Sequence, residues 1–340
     1  MKGASFILGL LLAASAAPAA QPPKPLFADD QLIEVTVRAP MGRLTSSEDR
    51  SRVVDGSLAI GAETLPIRLS PRGITRLRKE TCQFPPLRVD FTGAPPAGSM
   101  FAGQRRLKLV THCRPSEAHQ QYVLLEYATY RLYNQLTPNS FRARLAQVNY
   151  VEENGKPVTS RLGFFLEDLS DVARRNGLNE ARVGARIPVA SLNAADAARF
   201  AVFQYLISNL DWAMQAGPAG DSCCHNSRLI SATGSPPMTT VPYDFDYSGF
   251  VDAPYAVPPE GIKVSGVKSR YYRGFCRHNA EALQAAADIR SRQPAMLAVL
   301  QQIPQLKEGT RRKASAFLER SFADIATDQA VTANLLKTCV

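Results

Sequence analysis

Apolar and polar residues alternate over positions 32–38, the period of a strand with one buried face. Positions 57–60 and 64–69 repeat that pattern on either side of Gly61-Ala62-Glu63 and read as a hairpin. Further strands are predicted at 87–91 and 107–111, with a Gly- and Pro-rich loop at 93–98 between them. The period then lengthens. Tyr122, Leu125, Glu126, Thr129, Leu132, Tyr133 and Leu136 fall at helical spacing before Pro138. Two more strands, at 144–151 and 160–165, flank the turn signal Glu153-Asn154-Gly155. Beyond Asp168 the chain turns helical. Helices are predicted at 171–176, with Gly177 as C-cap, and at 193–210, 279–292, 294–302 and 310–325. Short strands at 228–230 and 240–243 interrupt them, and no internal repeat is present. The pattern predicts an α+β protein of two lobes. A strand-rich N-lobe spans 31–166, a helical C-lobe spans 167–340, and the hinge lies near 165–169.

The first residues change the picture. Met1-Lys2 precedes an apolar run from Ala4 to Ala14, then Ala17-Pro18-Ala19 places small residues at the −3 and −1 positions of a cleavage site. This predicts a signal peptide over 1–20 and an exported protein, periplasmic or extracellular. The alternative is an uncleaved anchor, but the run falls short of the roughly 20 apolar residues a spanning helix needs. No later segment is long and apolar enough to span, so no transmembrane helix is expected after cleavage. The Pro-rich stretch 21–30 reads as a linker. A 45% hydrophobic and 21% charged composition is that of a globular chain. The net charge of +10 suits an anionic partner such as a nucleotide or an acidic protein, and equally serves solubility. Basic residues form only short clusters, such as Arg105-Arg106 with Lys108 and Arg311-Arg312-Lys313, so no nucleic-acid stripe is expected.

Six cysteines suit an oxidising compartment and allow fifteen pairings. Proximity favours Cys82 with Cys113, both near strand ends. Cys276 with Cys339 would pin the C-terminal tail, leaving Cys223-Cys224 as a vicinal pair. A rival reading makes Cys223, Cys224 and His225 a zinc site, although adjacent cysteines seldom reach one metal and no CxxC is present.

Candidate chemistry lies in the second half. Asp211 ends the predicted long helix and precedes the single tryptophan, Trp212. A carboxylate there opposes the helix dipole, so helix formation alone does not select it. It fits a base for an attacking hydroxyl, or a plain surface acid. Asn226 follows His225 on a loop; its amide oxygen suits magnesium, and asparagine is also a common turn residue. Asp244 and Asp246 leave an apolar strand at alternate positions, so both face one site if the chain stays extended. Two close carboxylates repel unless a cation lies between them. The other reading is a turn with one acid solvated. Lys108 sits mid-strand and Glu126 on the next helix. They form a phosphate-binding pair, or Lys108 points outward from a half-buried strand.

Residues 53–256 resemble the CotH type of secreted protein kinase. The resembling pieces are Arg72-Gly73, residues 82–87, residues 107–113, Glu126-Tyr127 with residues 130–134, residues 163–168, residues 209–212, His225-Asn226 and residues 243–246. The resemblance implies a protein-kinase-like fold with Asp211 as catalytic base. Asn226, Asp244 and Asp246 would be the metal set, and Lys108, Glu126, Arg72 and Glu167 would meet the nucleotide. Twelve residues separate Trp212 from His225, no glycine-rich phosphate loop is present, and Asp246 stands where glycine follows Asp-Phe in kinases. Arg72 and Arg76 are candidates for the phosphate grip such a loop supplies. The implied activity is phosphoryl or AMP transfer from ATP, with Mg or Mn, to a hydroxyl of an unidentified protein acceptor. The alternative is a non-catalytic envelope binding or assembly protein on the same scaffold.

Overall fold

The computed structural model describes residues 19–340, so the leader expected over 1–20 lies outside the described residues except for Ala19 and Ala20. Helices and strands are mixed, with strands crowded into the first half. In order come β1 (Ile33–Arg38), the short α1 (Met41–Thr45), β2 (Val54–Ile60), β3 (Glu63–Pro71), β4 (Leu87–Phe91), β5 (Arg106–Val110), α2 (Glu117–Asn134), β6 (Ala143–Val151) and β7 (Pro157–Leu166). The seven strands close into a barrel in the order β1-β2-β3-β4-β5-β7-β6. Alternating residues fill it: Ile33, Val35 and Val37 of β1 and Leu65, Ile67 and Leu69 of β3 all point inward and are buried. Closure comes from β1 lying parallel to β6, with Val35 opposite Val148. That contact joins strands over a hundred residues apart, and it leaves no open sheet edge. Gly155 turns β6 into β7 at φ +88. At Gly163 strands β5 and β7 approach so closely that a Cβ would sit 2.5 Å from the Val110 carbonyl oxygen.

Residues 21–30, expected as a linker, lie against the body. Leu26 and Phe27 are buried in the barrel core. Lys24 pairs with Asp171 at 2.9 Å and Arg144 with Asp29 at 2.7 Å. Burying two large apolar side chains offsets the ordering of this short polar stretch.

The second half holds α3 (Leu169–Arg175), β8 (Asn179–Glu180), α4 (Ala194–Leu206), β9 (Ser227–Ser231), β10 (Thr239–Pro242), α5 (Asn279–Ser291), α6 (Gln293–Gln302), α7 (Glu308–Ala323) and α8 (Asp328–Asn334). Strands β10, β9 and β8 form a small antiparallel sheet in that order. Helix α4 starts at the Asn193 cap, whose side chain accepts from Asp196 N–H. It is apolar around most of its circumference, with Phe200, Val202, Phe203 and Leu206 fully buried. The helix stops at Leu206, short of the expected 210, because Ser208 takes a left-handed conformation at φ +50. Helix α2 is capped by Ser116 and packs against β6, β7 and α6. The buried apolar residues fall into two clusters, one inside the barrel and one beneath α2, α4 and the later helices.

Cys82 is bonded to Cys113, Cys276 to Cys339, and Cys223 to Cys224. The Cys276–Cys339 bridge spans 63 positions and fixes a tail that also hydrogen-bonds from Cys276 N–H to the Val340 carbonyl. Closing such a loop stabilises by ~4 kcal/mol in the chain-entropy account. Among the described residues no helix is long and apolar enough to cross a membrane.

Candidate active site

A cavity of about 1020 Å³ opens where residues of β3, β4 and β5 and the end of β7 face the small sheet and the loops around 211–226 and 243–247. Arg72, Lys108, Glu167, Asp211, Asn226, Asp244 and Asp246 line it; Glu126 lies behind its wall.

Asp211 stands in the loop after α4, not on the helix end, so the helix dipole does not act on it as the sequence pattern implied. Its backbone is clamped. Asn209 Oδ1 accepts its N–H at 3.1 Å, and Arg273 Nη1 donates to the carbonyls on both sides, Leu210 at 2.5 Å and Trp212 at 2.9 Å. The Arg273 guanidinium also lies 4.9 Å from the Trp212 ring centre, and Trp212 packs edge-on against Phe200. The carboxylate is aimed by two neighbours: Oδ1 is 2.7 Å from His225 Nε2, and Oδ2 accepts from Asn226 Nδ2 at 2.9 Å. The hydrogen bond to Asp211 raises the His225 pKa, with burial opposing it.

Asn226 and Asp244 both adopt left-handed backbone, at φ +48 and +64. Asn and Asp tolerate that region better than other side chains, and such outliers gather where a site is over-determined. The Asp244 turn also breaks the extended alternation expected beyond β10. Its N–H is held by Tyr130 Oη of α2 at 2.9 Å, and Tyr130 packs edge-on against Phe245. Asp246 is buried, accepts from Tyr255 Oη at 3.1 Å and lies 3.7 Å from Arg76. Burial first, then the neighbouring Asp244 charge, pushes the Asp246 pKa up. Asp244, Asp246 and Asn226 line one cavity, and carboxylate and amide oxygens are the hard donors that a divalent cation such as Mg or Mn takes. Asn226 Nδ2 is committed to Asp211, which leaves its Oδ1 for that set. Among the described residues no group of three or more His, Cys, Asp or Glu is placed to hold a metal. The zinc alternative is overturned directly, because Cys223 and Cys224 are bonded to each other and offer no thiolate.

One expected contact is replaced. Glu126 does not pair with Lys108. It meets Arg76 at 3.2 Å, and Arg76 also donates to the Thr111 carbonyl at 2.8 Å. Burial opposes the Arg76 charge, and Tyr255, Glu126 and Asp246 together hold its pKa above the usual arginine range. The planar guanidinium bonds Glu126 and the Thr111 carbonyl at once and lies 3.7 Å from Asp246. Arg76 lines the cavity, with its charge already met by Glu126 and Asp246. Glu167, expected at the nucleotide, spends its carboxylate on Arg175 at 2.9 Å and on the Arg142 N–H at 2.9 Å. Burial raises its pKa against those partners.

Lys108 is half-buried in the cavity wall, with its Nζ 4.8 Å from the Tyr243 ring centre. Burial first, then the Arg72 and Arg228 charges, brings its pKa down to about 7 from 10.5. The unfolded chain therefore binds more protons between those values. The cost of charging Lys108 is fully present below pH 7, and stability rises with pH through the window. The unfolding free energy of Lys108→Met minus that of wild type is expected to be positive and largest below pH 7, shrinking toward pH 10. Urea titrations at several pH values measure this. A difference that does not change with pH would show that Lys108 is solvated.

Tyr130, Arg228, Tyr255 and Arg273 are site residues the sequence reading passed over. Tyr130 lies four positions after Glu126, on the same helix face, and that spacing was the available signal. Arg273 and Tyr255 reach the site across loops and leave no local trace in the chain.

No protein-family description matches this chain, and no curated protein does. Among solved structures it is similar to the crystal structure of a Helicobacter pylori proinflammatory kinase, CtkA. The TM-score is 0.40 and the identity 10%, over 74% of this chain and 92% of that one. A likeness at that score carries no inference about activity, and the site's own geometry must supply it.

Proposed function

We propose that this chain is an exported, kinase-like phosphotransferase that modifies protein hydroxyl groups, related to the CotH type and built of two lobes around the cavity. The observation that carries the reading is a single constellation. Asp211 is aimed by His225 and Asn226 in a cavity that also holds Asp244, Asp246 and a lysine with no carboxylate partner among the described residues.

In this reading Asp211 orients the acceptor hydroxyl and takes its proton as the hydroxyl oxygen attacks the γ-phosphorus. The bond from phosphorus to the bridging oxygen breaks, and ADP leaves. Attack at the α-phosphorus with loss of pyrophosphate would transfer AMP using the same groups. His225 and Asn226 hold Asp211 in place, and Arg273 fixes the backbone beneath it. Asn226, Asp244 and Asp246 would hold the metal, which when bound neutralises charge on the phosphates. Three disulfides support an oxidising location.

The test is a thermal-shift titration with ATP and Mg or Mn, since a ligand that binds only the folded state raises its apparent stability. Wild type is expected to shift. Asp244→Ala is expected to lose the metal-dependent part of the shift and to keep the fold at a somewhat lower starting Tm, because alanine tolerates the left-handed backbone at 244 less well than aspartate. An unchanged shift in Asp244→Ala would remove Asp244 from the metal set.

A further inference from the structure

Eight lysine and arginine side chains line the cavity, and three of them are already neutralised. Arg76 is held by Glu126 and Asp246, and Arg88 and Arg106 share Asp90 at 2.6 and 2.8 Å. Five make no ion pair with a described carboxylate: Arg50, Arg72, Lys108, Arg182 and Arg228. Two of them are mounted on one phenol: Arg228 Cζ lies 4.6 Å and Lys108 Nζ 4.8 Å from the Tyr243 ring centre. Tyr243 is itself buried and packs edge-on against Phe141, so the ring is a fixed platform. The Arg228 guanidinium donates only to the Cys224 and Ser227 carbonyls, both at 3.4 Å, and keeps donors free. Arg72, just past the end of β3, and Arg228 are close enough to Lys108 to help depress its pKa.

We propose that Lys108 and Arg228, mounted on Tyr243, form with Arg72 of the same cavity wall a seat for a polyphosphate chain, the di- or triphosphate of the donor nucleotide. The proposal deepens the phosphotransferase reading and rests on it for the identity of the ligand. Like charges collected on a low-dielectric wall repel, and an anion relieves them all only if it presents several oxygens at once. A single carboxylate meets one fork. Two guanidinium forks and one ammonium match a chain of phosphate groups. The seat also stands in the right place, because Tyr243 immediately precedes Asp244 and the bound chain would run from the cations toward the carboxylates and Asp211. The chain has no glycine-rich phosphate loop, and these side chains take over its task.

The test is calorimetric titration of the full disulfide-bonded protein with inorganic tripolyphosphate, without metal. Wild type is expected to bind, more weakly as salt rises. Arg228→Gln is expected to weaken binding tenfold or more, and Arg228→Lys to retain part of the affinity, which a merely structural role would not produce. Arg106→Gln, at a cation paired with Asp90, is expected to bind within twofold of wild type. No binding by wild type, or Arg228→Gln binding within twofold of it, overturns the proposal. The transfer assay is read separately. Tripolyphosphate bound through Arg228 with no transfer to any hydroxyl leaves the seat standing and removes the phosphotransferase reading. Transfer with the wild-type nucleotide KM in Arg228→Gln does the reverse.

Discussion

Asp211→Asn is expected to lower transfer by about 10²–10⁴ while nucleotide and metal still bind, the usual range for a lost general base. The substitution keeps the shape. The asparagine oxygen can go on accepting from Asn226 Nδ2, and its nitrogen can turn to His225 Nε2 in the neutral tautomer. The backbone clamp of Asn209 and Arg273 does not depend on the carboxylate. Only the charge and the proton-accepting capacity are lost. The assay is incorporation from labelled ATP, with mass spectrometry to distinguish phosphoryl from AMP. Equal transfer by wild type and variant would take Asp211 out of the mechanism. No transfer by wild type, together with no nucleotide-induced thermal shift, would favour the non-catalytic scaffold.

Arg76→Met is expected to cost about 3–5 kcal/mol of folding stability, because it strips a buried cation from buried acids. Arg76 is 7% exposed, Glu126 2% and Asp246 6%, so water does not replace the lost partner. Methionine refills much of the volume, so the loss reports charge and hydrogen bonding more than a cavity. Urea unfolding with its slope checked against wild type measures it. Lys108→Met is the comparison, and it should stabilise at pH 6, where the lysine charge is itself unfavourable. The reverse order would restore the Lys108–Glu126 pairing that the sequence suggested. A loss below about 1 kcal/mol in Arg76→Met would show that the cluster is open to solvent.

The contrast between Arg76 and Lys108 shows where reading the chain ended. Spacing placed a cation on a strand and an acid on the following helix, and Lys108 and Glu126 occupy those places. Which cation meets the acid depends on the short turn at Thr75–Leu77, which aims Arg76 inward from the end of the barrel. Similarly, Asp244 and Asp246 were legible as a pair, but through alternation in an extended strand. The chain instead turns left-handed at Asp244, and the two reach one cavity by another route. Glu167 was legible as an acid at the junction, while its commitment to Arg175 was not.

By itself the sequence determined the seven barrel strands and most of the helices, because period 2 and period 3.6 are local properties of burial. It also marked the pairing of Cys82 with Cys113 and of Cys276 with Cys339, from their places near element ends and the tail. The tertiary structure decided what depends on contacts between distant segments. These are the closure of the barrel through β1 and β6, the docking of residues 21–30, the clamp of Arg273 on the Asp211 loop, and the meeting of Lys108 and Arg228 on Tyr243. A side chain's partner is set by which backbone passes near it in space, and hydrophobic period carries no record of that.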